Sequence, residues 1–294
     1  MVMVSIQNKK VKNEIHAGRF FSVNILLPLF IPFILTVIII KFFPQDLIMK
    51  IINNRLGIKG IVGTINASPW VLERLEGLVI FFLLYLFYIK KIIPRLCPEL
   101  LPSNKYFLVP TWMIKLAVFI RLPDSKNVNG SAKSIPTWQY MDYLYNNWNR
   151  LKLNIPEVCN VDKNTLVNVE RTNGQGKILS IIISDTYPII VEKLPSFIRS
   201  HNYALVQTMV NGEKNKNQRG YNSKLVQECI SLINDGKNSE VTTINILANT
   251  NPKHITEIMR EAFGDAGRNS LKHLYVYENP RKNNFYFSKP HKIF

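Results

Sequence analysis

The chain has 294 residues, 37 Lys and Arg against 20 Asp and Glu, a formal net charge of +17, and 47% hydrophobic residues. That length holds a membrane segment and one soluble domain of ordinary size, and with no run of five or six clustered Lys or Arg the charge ranks a nucleic-acid role behind a membrane one. Three widely spaced cysteines, Cys97, Cys159 and Cys229, exclude a Cys-x-x-Cys zinc or thiol-exchange pair and fit reduced thiols in a cytosolic compartment.

The basic excess is densest around the hydrophobic runs. Residues 1–123 carry 15 Lys and Arg against 5 Asp and Glu, and residues 124–294 carry 22 against 15. Residues 1–19, with Lys9, Lys10, Lys12 and Arg19, read as a basic cytoplasmic tail. Phe20 to Ile40 then gives 21 consecutive uncharged residues, FFSVNILLPLFIPFILTVIII. At about 1.5 Å of rise per residue, roughly 20 apolar residues cross a bilayer core, so this run predicts a first membrane helix over 20–40. Its length and the lack of a small-x-small site after it argue against a cleaved signal peptide. Pro28 and Pro32 lie one turn apart and predict a kink near residues 24–32. Ser22 and Asn24 are placed to bond freed carbonyls or to face a partner helix.

Residues 41–67 read as a connecting loop, and Ser68-Pro69 as a helix start with Trp70 at the membrane interface. Gly77 to Ile89 is apolar and uncharged for 13 residues. It reaches spanning length, about 75–93, if Leu75, Ile92 and Ile93 join it and Lys90 and Lys91 snorkel; the alternative is a monotopic helix. Tyr106 to Leu122 contains Pro110, Lys115 and Arg121 and predicts an amphipathic segment lying on the membrane. With the polar stretch 124–135, residues 97–135 form an interfacial segment and linker. The basic flanks at 1–19 and 90–105 outweigh the loop between the helices, which places both termini on the cytoplasmic side.

From Pro136 the composition becomes that of a soluble domain, 136–294. Periodicity predicts helices over 137–150, 191–200 (interrupted by Pro195), 223–234 and 252–263, and strands over 177–184, 203–210, 241–248 and 271–277. The alternation predicts an α/β, Rossmann-like domain with a mostly parallel sheet, following an N-terminal α-helical membrane hairpin.

Ligands of open α/β sheets bind beyond the carboxyl ends of the strands. Three loops meet there: Asp185-Thr186, the polar stretch 211–222 and 249–251. Candidate ligand-binding residues are Asp185, Thr186, Asn211, Lys214, Lys216, Arg219, Asn249, Thr250 and Asn251. The cations suit phosphate, the polar groups suit a ribose or base edge, and each loop precedes a predicted helix whose N-terminus favours an anion. The bland readings are also physical: Asn251-Pro252 starts a helix without any ligand, 211–222 serves as a solvated loop, and Asp185 caps a turn. The five histidines lack metal spacing, Gly174-x-Gly176 precedes a strand instead of following one, and no nucleophile stands with its base. No cofactor or metal is therefore expected, and the reading leans away from an enzyme.

Two N-terminal membrane helices joined to a cytosolic α/β domain resemble, by architecture, bacterial two-helix antiviral effectors associated with retrons and with cyclic-oligonucleotide signalling. The resemblance implies a multi-pass protein of the bacterial inner membrane. Its partners would be the lipid bilayer, further copies of itself, a nucleotide or cyclic oligonucleotide, and an operon-encoded protein. The implied action is that a sensed signal makes the helices assemble and disrupt the membrane. The competing readings are a structural subunit of an envelope or secretion assembly and a membrane-anchored nucleotide-processing enzyme, in which Asp185 would be the first acid to test.

Overall fold

In a computed structural model the chain forms two compact units, Met1–Gly130 with Arg150–Lys152, and Ser131–Asn149 with Leu153–Phe294. The residues described are 14–42, 69–121, 128–148, 150–159, 165–172, 176–215, 219–264, 271–278 and 287–294. The expected helix start at Ser68, the connecting loop beyond Phe42, Lys216 and Gly174 lie outside them.

In the first unit, Ala17–Phe42 is a 26-residue helix, about 39 Å long, and Gly77–Leu96 closes a second one that begins at Pro69. Both are long and apolar enough to cross a membrane. Each carries one π-helical turn, Ser22–Leu26 and Tyr88–Ile92. The wide turns fall where proline withdraws a donor: Pro28 has no N–H for the Asn24 carbonyl, and Pro94 none for that of Lys90. Side chains bond to the backbone nearby. Ser22 Oγ donates to Gly18 O at 3.0 Å, Asn24 Nδ2 to Phe20 O at 3.2 Å, and Thr36 Oγ1 to Pro32 O at 2.8 Å. The two helices pack together where Ile80 is buried against Ile39, Ile40, Val79 and Leu84. Outward, Phe30, Phe33, Phe82 and Phe87 are exposed, as a lipid-facing surface requires.

Strand β1 (Glu14–His16) pairs in parallel with β2 (Tyr106–Leu108), and Phe20 meets Phe107 edge-on at 5.8 Å. The following helix, Thr111–Ile120, has 10 residues, about 15 Å, half the depth of a bilayer core. It buries Ile114, Ala117, Val118 and Ile120 within the unit. The stretch read as linker is partly structured. Val128–Ser131 forms β3, which pairs with β4 (Leu151–Asn154), and Ala132–Ser134 makes a 3-10 turn in which Ser131 Oγ accepts the Lys133 N–H.

The second unit holds a seven-stranded sheet of β5 (Thr165–Arg171), β6 (Ile178–Ser184), β7 (Asn202–Val210), β8 (Glu213–Lys214), β9 (Thr243–Asn249), β10 (His273–Glu278) and β11 (Lys289–Lys292). The order is β11-β10-β9-β6-β7-β5, with β8 also on β7. The four central strands β10, β9, β6 and β7 are mutually parallel, and β11, β5 and β8 join antiparallel. The sheet is therefore mixed, where a mostly parallel one was expected. The added strands are short or polar (TLVNVER, KPHK), the pattern of an edge facing water on one side, and they lack the apolar run that marks a buried parallel strand.

One sheet face carries Ile181, Ile183 and Ile246 toward the Ser223–Lys237 and Pro252–Phe263 helices. Gly236 lets the first of these helices approach, since a Cβ there would meet Leu179 Cδ2 at 2.9 Å. On the other face Ile182, Leu205, Leu247 and Tyr277 pack with Ile189, Leu194, Ile198 and Phe287. The helix expected over 191–200 is two short pieces, a 3-10 turn Val191–Lys193 and a helix Ser196–Ser200. Pro195 forces Leu194 into an extended conformation and breaks it.

Candidate functional site

β6 has β7, next in the chain, on one side and β9, later in the chain, on the other. The connection after β6 covers one face of the sheet and the Ser223–Lys237 helix covers the other, so the chain diverges at the carboxyl ends of β6 and β9. A strand order that reverses in this way opens a crevice. Asp185 and Thr186 leave β6 there, and Asn249, Thr250 and Asn251 leave β9.

The centre of the crevice is a buried hydrogen-bond network. Asp185 is 2% exposed, and its Oδ1 accepts from Thr208 Oγ1 at 2.8 Å while Oδ2 accepts from Thr250 Oγ1 at 2.7 Å. His254 is fully buried. Its Nε2 accepts the Asn222 N–H at 2.7 Å, so the ring proton sits on Nδ1, which faces Thr250 Oγ1 at 2.6 Å and Asp185 Oδ2 at 3.3 Å. Asn251 Nδ2 is a donor and bonds the Gly220 carbonyl at 2.9 Å.

Both adjacent helix starts are capped from within. Asn222 Oδ1 accepts the N–H groups of Lys224 and Leu225, and Asn251 Oδ1 accepts that of His254. Thr186 and Asn249 close the crevice floor: Thr186 Oγ1 donates to Asn249 Oδ1 at 2.7 Å, and the Asp185 and Thr186 N–H groups both reach Asn249 O at 3.1 Å.

Two cation–aromatic pairs flank this network, with Lys253 in the first turn of the Pro252–Phe263 helix. Arg219 is exposed, donates from Nη2 to the Tyr187 hydroxyl at 3.0 Å, and lies 5.9 Å from that ring's centre. Lys253 Nζ lies 4.1 Å above the Tyr221 ring. Burial and the hydrogen bond from its hydroxyl to Glu257 push the Tyr221 pKa up to about 12. Cys229 sits in the core of the Ser223–Lys237 helix, where burial, and then the Asp185 charge, raise its thiol pKa.

The structure sorts the nine sequence candidates by position. Asp185, Thr186 and Asn251 are buried, with side chains engaged inside the protein, and Asn249 and Thr250 are half-buried partners of the same network. Arg219 is exposed. Asn211 and Gly212, with φ of 52° and 83°, form the two-residue turn of the β7–β8 hairpin, and Lys214 lies exposed on β8. Lys216 lies outside the described residues. Tyr221 and Asn222 fall inside the 211–222 stretch named from the sequence, whereas Tyr187, Lys253 and His254 are not among the sequence candidates. Tyr187 follows Thr186 and Lys253 follows the Asn251-Pro252 helix start, while the scattered histidines carry no metal spacing that would single out His254. Among the described residues no group of three or more His, Cys, Asp or Glu gathers as metal ligands.

Two membrane-length helices followed by a mixed α/β domain give the chain the architecture of a membrane-anchored protein. The model of the SMODS- and Ubiquitin system-associated 2TM effector domain matches residues 6–294, and the chain belongs to that family. It is thus a membrane-anchored effector of a nucleotide-associated bacterial defence system. No curated protein matches it. Among solved structures it is similar to the Acinetobacter baumannii Cap4 SAVED/CARF-domain containing receptor with the cyclic trinucleotide 3'3'3'-cAAA, at 11% identity and a TM-score of 0.37. The match covers 61% of this chain and 41% of that one, so the chain spans about two fifths of that receptor's length.

Proposed function

We propose that the α/β unit is the sensor of this effector, that it binds a nucleotide or cyclic oligonucleotide at the crevice, and that binding drives the membrane helices into an assembly that disrupts the inner membrane. In this reading residues 136–294 and both termini are cytoplasmic, and the four central parallel strands work as a Rossmann-like platform. The carrying observation is the pairing of Arg219 with Tyr187 and of Lys253 with Tyr221 around the switch point at the ends of β6 and β9. Aromatic faces stack bases and cations meet phosphates. Asp185 acts as a positioning residue, because both its oxygens are taken by threonine hydroxyls inside the protein.

The ligand would favour one assembly state by its differential affinity for it, which is what couples sensing to the membrane. The test is a thermal-shift screen of the full chain in nanodiscs against cyclic and linear oligonucleotides and mononucleotides. One class should raise the melting temperature, and Arg219→Ala should weaken that binding about tenfold, the loss of one charge-assisted contact. A flat response across all three classes rules the reading out and favours the envelope-subunit alternative.

A further inference from the structure

We propose that the first unit holds a built site for the phosphate of an anionic phospholipid. A cavity of about 480 Å³ opens beside the start of the first membrane-length helix and the end of the second, with Arg19, Phe20, Asn24, Cys97, Leu100 and Lys105 among the residues that line it. This volume falls within the range of ordinary small-ligand sites. Its walls are apolar where a lipid's glycerol and upper acyl chain would lie: Phe20, Leu100 and Phe107 are almost fully buried. Two exposed cations, Arg19 and Lys105, line the same cavity, against the single carboxylate of Glu99.

A third cation stands behind the wall. Arg121 is 4% exposed and donates from Nη2 to Asn24 Oδ1 at 2.8 Å and from Nη1 to Cys97 O at 3.1 Å. Asn24 and Cys97 both line the cavity, so the guanidinium ties the two helix ends that frame it. Apolar walls, a cationic rim and a place at the ends of membrane-length helices together fit a phospholipid whose headgroup stays at the interface.

The experiment is native mass spectrometry of the full chain, extracted in detergent and offered equal phosphatidylglycerol and phosphatidylcholine. A parallel melting series with inorganic phosphate or glycerol phosphate separates a lipid site from a site for a free anion. The wild type should retain phosphatidylglycerol with roughly tenfold preference. That preference should vanish in the Arg19→Glu, Lys105→Glu double variant, survive in Arg19→Lys, Lys105→Arg, and survive in Lys272→Glu, a charge reversal at an exposed lysine just before β10 in the second unit. The conservative pair guards against misfolding, since it keeps charge and bulk. Equal retention of both lipids by the wild type, unchanged preference in the charge-reversed variant, or equal protection by free phosphate each overturns the proposal. None of these outcomes bears on nucleotide binding by the second unit, so the two readings fail separately.

Discussion

His254 ties two loops together with its two nitrogens. One accepts the Asn222 N–H at the cap of one helix, and the other faces Thr250 and Asp185 at the start of the next. His254→Ala therefore removes a fully buried ring and orphans a backbone donor, and it should destabilise the chain by about 2–4 kcal/mol in denaturant unfolding. Tyr221 gives a pH prediction. Its raised pKa means the folded state holds the phenolic proton more tightly than the unfolded chain, whose reference value is 10.0. That stabilisation is complete below pH 10 and is lost as pH climbs toward about 12. The difference in tyrosinate absorbance between the wild type and Tyr221→Phe should place the Tyr221 titration near that upper value, and Glu257→Gln should move it back down. The cysteines should differ in rate. Exposed Cys159 should label quickly with a thiol reagent, whereas buried Cys229, with its raised pKa, should label only on unfolding.

At the scale of elements, the membrane hairpin depends on a close approach. A Cβ on Gly77 would meet Ile40 Cδ1 at 3.2 Å, already a tight contact, so the remainder of a leucine side chain has no room without separating the helices. Gly77→Leu should lower the melting temperature in detergent by the equivalent of about 1–3 kcal/mol, the usual range for overpacking. Gly77→Ala asks Ile40 to move by only a few tenths of an ångström and should cost far less. The proline-linked π turns and the broken 191–200 segment follow one rule: the residue without an N–H decides where a helix widens or stops.

At the scale of the whole molecule, the proposed function couples the crevice of the second unit to lipid through the helices of the first. Deleting residues 20–40 should abolish ligand-dependent depolarisation of cells, read with a membrane-potential dye at matched expression. Arg219→Ala should leave the chain in the membrane and raise the ligand concentration needed for the same response about tenfold. Persistent depolarisation in the deletion variant would show that the membrane helices are not the effector part.

The 21-residue uncharged run, the apolar strand KILSIIIS and the amphipathic helices at 223–234 and 252–263 were legible because burial in lipid or in a sheet leaves a local periodicity. Crevice residues after β6 and β9 were legible for the same reason, since strand ends follow from the strands. Only the tertiary structure decided that β5, β8 and β11 add antiparallel edges, because pairing joins residues far apart in the chain and short polar strands leave no run. Which candidate residues face solvent and which are used up inside was likewise settled in three dimensions. Asp185 and Asn251 look like ligand groups in isolation, but Thr208, Thr250 and Gly220 reach them first. A hydrogen-bonding group is spoken for only once its partners have been folded beside it, and composition carries no record of that neighbourhood.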